Sequence, residues 1–159
     1  MAQGKTNAMR ILDSKKVNYE LITYDNLDGK IDGISVAQKI NRDQNMVYKT
    51  LVAKGNSKQS YVFIIPVGSE LDLKKAAKAA NEKKIEMIAV KDIQQLTGYI
   101  RGGCSPIGMK KHYPSYIASD ASALEKIVVS GGKIGIQIEL KVADLKEVIQ
   151  AKLVDVVKG

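Results

Sequence analysis

The sequence predicts a mixed α/β (α+β) fold, a sheet that carries helices on its outside, and three observations predict it. Segments of helical periodicity alternate along the chain with strand-like runs. The 159 residues are 45% hydrophobic and 26% charged, the balance of one globular domain rather than of a disordered chain. No repeat, low-complexity tract or linker-like break divides them, so the expected domain runs over 1–159.

Each element has its own signal. Ala8, Ile11 and Leu12 recur at helical spacing behind Thr6 or Asn7 as cap, and Asn18 separates them from a strand over 19–24. After a polar stretch at 25–33, Ser35 is read as the cap of a short helix to Ile40, and a strand follows at 47–53. A hairpin loop at 55–59 leads to 61–67, so apolar that both of its faces must be buried. Leu73, Ala76, Ala77 and Ala80 make the clearest helix, with Lys74, Lys75 and Lys78 turned elsewhere.

A strand at 86–89 and a helix at 92–96 come next. The loop 98–108 then holds four Gly and one Pro in eleven residues, an order that is costly to impose and needs a reason. Strands follow at 116–118 and 126–129, and Gly131-Gly132-Lys133 reads as a tight turn into a return strand at 134–140. A helix at 142–151 precedes a short apolar end.

Composition narrows the chemistry. Twenty-five Lys and Arg against seventeen Asp and Glu give a net charge of +8, which favours anionic partners. With twenty-two Lys to three Arg and no aromatic-rich RNA-binding signature, the pattern suits contact with a phosphate backbone rather than the reading of bases. One cysteine, Cys104, and one histidine, His112, exclude an internal disulfide and leave too few ligands for ordinary zinc chemistry, so no metal and no cofactor is expected. No apolar run reaches membrane-spanning length and the start Met1-Ala-Gln-Gly-Lys5 lacks the core of a leader, so the expected setting is cytoplasmic with no membrane partner.

Several constellations could carry chemistry. Gly103 to Lys110 has two glycines at phosphate-loop spacing, but Met109 occupies the lysine position, no Ser or Thr follows Lys110, and Pro106 removes an amide. What remains is a loop whose amides can approach a ligand, with the Ser105 hydroxyl beside them, or a purely structural turn. Cys104 lacks a visible supporting base, and Ser130 with His112 lacks a nucleophile-elbow pattern. Lys49 shares a strand face with Val47 and Leu51. It either protects an edge strand or, if that face is inward, must meet an anion or polarised carbonyl. Tyr24, at the end of its own strand, reads as a core ring rather than a site residue.

Together, Thr23-Tyr24 and the segments 47–51, 71–75, 83–87, 97–108 and 129–133 resemble the YbaK/EbsC family of trans-acting aminoacyl-tRNA editing proteins, most closely its cysteinyl-tRNA(Pro) deacylases. The resemblance implies a strongly curved mixed sheet surrounded by helices, as in the editing domain of bacterial prolyl-tRNA synthetases. It implies that Lys49 is the pocket lysine, that 102–106 is the Gly-x-x-x-Pro substrate loop, and that Tyr24, Thr50, Pro106 and Ser130 contact substrate. Gln137 departs from the acidic residue expected there, which opens the question of amino-acid preference.

The implied reaction needs no protein nucleophile. The cysteinyl thiol attacks its own ester carbonyl, and tethering replaces a bimolecular encounter. Amides at Gly102, Gly103 and Ser105 would hold the carbonyl oxygen while Lys49 holds the terminal adenosine or its phosphate. The implied partners are the aminoacyl-tRNA acceptor end and prolyl-tRNA synthetase, since no anticodon-binding module is evident. Two alternatives remain: an alanyl-tRNA(Pro) deacylase that uses water, and a non-catalytic domain that binds tRNA or another polyanion.

Overall fold

Thr6 opens the first helix by accepting the Met9 N–H at 3.3 Å, and α1 (Asn7–Ser14) buries Ala8, Met9 and Leu12. The structure is a computed structural model that describes residues 5–159; the leader-free start inferred above rests largely on residues 1–4, which lie outside the described residues. After α1 come β1 (Glu20–Thr23), α2 (Gly33–Lys39), β2 (Tyr48–Gly55), β3 (Ser60–Pro66), α3 (Leu73–Ala80), β4 (Ile85–Met87) and α4 (Val90–Thr97). The chain continues through β5 (Ser115–Ala118), a 3-10 turn (Ser119–Ala123), β6 (Lys126–Lys133), β7 (Ile136–Lys141), α5 (Val142–Val148) and β8 (Lys152–Val154). Among the described residues, no helix is long and apolar enough to cross a membrane.

The mixed α/β class holds, with the strands distributed over two sheets. One has the order β1-β7-β6 and is antiparallel; the other has the order β4-β2-β3-β5-β8, with β5 parallel to both β3 and β8. They meet at a parallel bridge between Val47 and Val128, where the Val128 N–H donates to the Met46 carbonyl at 2.9 Å. The central strand β3 is apolar because it is enclosed on both faces: Phe63, Ile64 and Ile65 are fully buried.

Four details differ from expectation. Asp32, not Ser35, caps α2, its carboxylate accepting the Ser35 N–H at 3.1 Å. The β6–β7 turn falls at 134–135, where Gly135 has φ +97°, and residues 131–133 belong to β6 with a register shift between Ser130 and Lys133. Leu73, at the first turn of α3, is exposed; Ala76 and Ala77, with Ala79 and Ala80 partly buried beside them, seat that helix. The apolar end expected after 151 includes a strand, β8, on the edge of the larger sheet.

Candidate active site

The junction of the two sheets leaves a cleft. Val47 and the start of β2, with Tyr48, Lys49 and Thr50, enter it from one side, β6 and β7 from the other with Ser130 and Gln137, and Tyr24 closes it just after β1. Ser130 and Gln137 are register partners across the β6–β7 ladder. α2 supplies Gly33 and Val36, and the glycine-rich loop supplies Gly102 and Cys104.

The polar groups in this cleft are unusually short of partners. Tyr24 Oη, Tyr48 Oη and Thr50 Oγ1 are buried and, among the described residues, have no hydrogen-bond partner. An unpaired buried hydroxyl costs about 1–3 kcal/mol, so three on residues that line one cleft mark a surface built to be completed by a polar ligand. Lys49 is half-buried and, among the described residues, forms no ion pair or hydrogen bond. Burial pushes its pKa below the ordinary lysine value, opposed in part by the charge of Glu70. An ammonium held this way is ready for an anion or a carbonyl oxygen.

The loop has a defined shape. The Gly103 N–H donates to the Ile100 carbonyl at 3.0 Å, and Gly102 takes φ +87°, as the third position of a type II turn requires. A Cβ on Gly102 would stand 2.9 Å from Ile31 Cδ1 and 3.3 Å from Ile134 Cγ1, so the loop packs tightly on both sides of the cleft mouth. Among the described residues, the amides of Gly102 and Cys104 have no backbone acceptor, whereas that of Gly103 is already used.

Of the nine residues expected at a site, Tyr24, Lys49, Thr50, Gly102, Ser130 and Gln137 line the cleft together. Gly103, Ser105 and Pro106 do not. Gly103 packs behind the rim against the backbone of Lys133 and Ile134. Ser105 is fully buried and its hydroxyl accepts the Ile107 N–H at 3.2 Å, which shapes the loop. Pro106 faces a depression on the reverse side, shared with His112. Cys104 lines the cleft, but burial pushes its thiol up to about 11.

Sequence reasoning missed Tyr48 as a site residue, although its place beside Lys49 was a signal: alternation assigned it to the opposite face, and it is buried there with its hydroxyl unpaired. It also missed Lys39, whose ammonium holds Asp28 at 2.7 Å and the carbonyls of Asp25 and Lys30 at 2.6 and 2.9 Å, fastening that loop, and itself lies over the ring of Tyr24, 5.9 Å from its centroid. Arg42 was missed too; just beyond α2, it binds Glu139 of β7 and Glu20 of β1, each at 3.2 Å. These contacts join segments far apart in the chain, and no local pattern announces them.

Comparison with known proteins adds to this geometry. The family model described as the aminoacyl-tRNA editing domain matches residues 32–148, a span that contains the cleft-lining parts of α2, β2, the glycine-rich loop, β6 and β7. A protein of Enterococcus faecalis, named Cys-tRNA(Pro)/Cys-tRNA(Cys) deacylase EbsC, is 48% identical over 138 residues, covering 87% of this chain and 84% of its own. Among solved structures, one described as a trans-editing enzyme for prolyl tRNA synthetase superposes with a TM-score of 0.84 at 19% identity, over 99% of this chain and all of its own. Another, the hypothetical protein APE2540, gives a TM-score of 0.87 at 18% identity, over 96% of this chain and 99% of its own. At such identities the two structures speak for the fold.

Proposed function

The chain belongs to the aminoacyl-tRNA editing domain family, and from that premise we propose that it hydrolyses mischarged Cys-tRNA(Pro) with the help of the substrate's own thiol. The observation that carries the reading is the cleft itself: an unpaired ammonium, Lys49, among three buried hydroxyls that lack partners. Such a surface suits the sugar, carbonyl and phosphate oxygens at the end of an acceptor strand.

The chemistry follows from what the cleft offers. The substrate thiol attacks its own ester carbonyl, the bond from carbonyl carbon to ribose oxygen breaks, and the thiol's proton ends on the departing ribose oxygen. Water then opens the cyclic thioester to free cysteine. Amides on the Gly102 to Cys104 stretch take the developing oxyanion; of these Gly102 and Cys104 are the free donors, each worth about 10²–10³ in rate. Lys49 holds the terminal adenosine or its phosphate. Discrimination by fit alone yields only about 1–3 kcal/mol for one small group, so a reaction that uses the thiol is a second filter against alanine and proline. Selection of tRNA(Pro) is assigned to a working partnership with prolyl-tRNA synthetase.

The test is release of amino acid from matched Cys-, Ala- and Pro-tRNA(Pro) at fixed salt. Cys-selective turnover that is lost in Lys49→Ala and kept in Cys104→Ser supports the proposal. Ala-selective turnover moves the assignment to a water-using deacylase, and salt-sensitive binding without turnover moves it to a binding domain. Full discrimination between tRNA(Pro) and tRNA(Cys) by the chain alone would remove the synthetase from the account.

A further inference from the structure

Among the described residues, the cleft is lined by one ionic side chain, Lys49, and by no carboxylate. The rest of its polar lining is neutral: hydroxyls from Tyr24, Tyr48, Thr50 and Ser130, the Gln137 carboxamide and the Cys104 thiol. The carboxylates near it in sequence or space are engaged elsewhere. Asp25 accepts the Leu27 N–H at 2.8 Å, Asp28 is held by Lys39 at 2.7 Å, Asp32 caps α2, and Glu139 is bound by Arg42 at 3.2 Å. Glu70 is exposed and paired with Lys158 at 3.1 Å, and Asp120 is exposed; they act on Lys49 and Tyr48 from outside the lining.

From this composition we infer that the cleft takes its aminoacyl ester with the α-amino group uncharged, and accepts an ester whose α-amino group is replaced by hydroxyl. The inference rests on the deacylase reading. A terminal α-amino group titrates at about 7.7–8.0, so both of its forms are at hand near neutrality. As an ammonium it would enter beside a like charge, stripped of water and without a counter-ion, which disfavours the charged form. As an amine or a hydroxyl it both donates and accepts, and so can partner hydroxyls that otherwise have none.

The experiment compares kcat/KM for cysteinyl-tRNA(Pro) with that for the same tRNA carrying 2-hydroxy-3-mercaptopropanoyl ester, from pH 6 to 8.5. The ratio cancels titrations common to both, namely of the substrate thiol and of Lys49. The amino-to-hydroxy ratio is expected to rise about tenfold between pH 6 and 7 and to level off above the amine's pKa. Gln137→Glu, which returns a carboxylate to the lining, is expected to raise the ratio at pH 6 by about tenfold or more. A wild-type ratio independent of pH, or a hydroxy ester cleaved at less than a tenth of the amino ester's rate at pH 8, would overturn the inference. If neither ester turns over, the deacylase reading fails, and calorimetric binding of the two acyl groups linked as amides to 3′-amino-adenosine decides this one. Amine affinity at least tenfold weaker at pH 6 than at pH 8, with unchanged hydroxy affinity, supports it; pH-independent amine affinity sinks it.

Discussion

Gly103 lies flat against the backbone of Lys133: a Cβ built on Gly103 would stand 3.0 Å from both the Cα and the carbonyl carbon of Lys133, and 2.9 Å from the Ile134 nitrogen. The glycine-rich loop is thereby seated on the end of β6, where the register shift after Ser130 brings the main chain forward. Main chain cannot step aside as a flexible side chain can. Gly103→Ala is expected to cost about 1–3 kcal/mol and to displace the Gly102 to Cys104 amides, lowering single-turnover deacylation at least tenfold. Gly29→Ala is the control: φ is +74° there with nothing within 4 Å, so about 1–2 kcal/mol of backbone strain should appear in the melt while the rate is kept.

Lys49 destabilises the fold that holds it. Its folded-state pKa lies below the unfolded value of 10.5, with burial the main cause. Below the folded-state pKa the side chain is charged in both states and the penalty is present in full; it fades as pH rises towards 10.5 and is absent above, where both states are neutral. Lys49→Met is therefore expected to be more stable than wild type at pH 7, with a higher melting temperature, and inactive. The stability gain should shrink in melts taken above pH 10. A gain that grows with pH would contradict the assignment.

Much of this was legible in the chain because the physics is local. The unbroken apolar run of β3 states its own burial, and alternation along β2 separated Lys49 from Tyr48. Turn chemistry is local too, yet it misled. Gly131-Gly132 reads as a hairpin turn, but here the two glycines permit close approach: Gly132 at φ +100° has Thr6 and Tyr99 within about 3 Å of where a Cβ would be, and Gly131 lies against Ile136. Asp32 and Ser35 are both good caps, and sequence could not rank them. The three residues of β8 carry no periodicity at all, and Arg42 meets Glu139 across 97 positions. The cleft's residues could be named one by one; their lack of internal partners is a property of the assembled junction.

Cys104 sits in the cleft and is expected to be chemically quiet. With its thiol held at about 11 by burial, only about one part in ten thousand is thiolate at pH 7. Cys104→Ser is expected to keep kcat within about threefold of wild type, since no protein nucleophile is required. Iodoacetamide labelling of the native protein should be slow at pH 7 and accelerate steadily towards pH 11. Rapid labelling at neutral pH that abolishes turnover in step with modification would restore the cysteine as a nucleophile.

The unpaired hydroxyls make a prediction in which stability and activity move in opposite directions. Tyr48 is 2% exposed, and its Oη has no partner among the described residues. Tyr48→Phe deletes only that oxygen, so the free protein should lose a desolvation penalty and become more stable by about 1 kcal/mol. Tyr48 is also one of the residues that line the cleft, so kcat/KM should fall about five- to tenfold, equivalent to the net 1 kcal/mol or so of one hydrogen bond. Thr50→Val tests the second hydroxyl by the same logic. Were the two variants less stable than wild type and unchanged in kcat/KM, the hydroxyls would be partnered in solution within the fold itself, and the cleft would lose its claim to be completed by substrate.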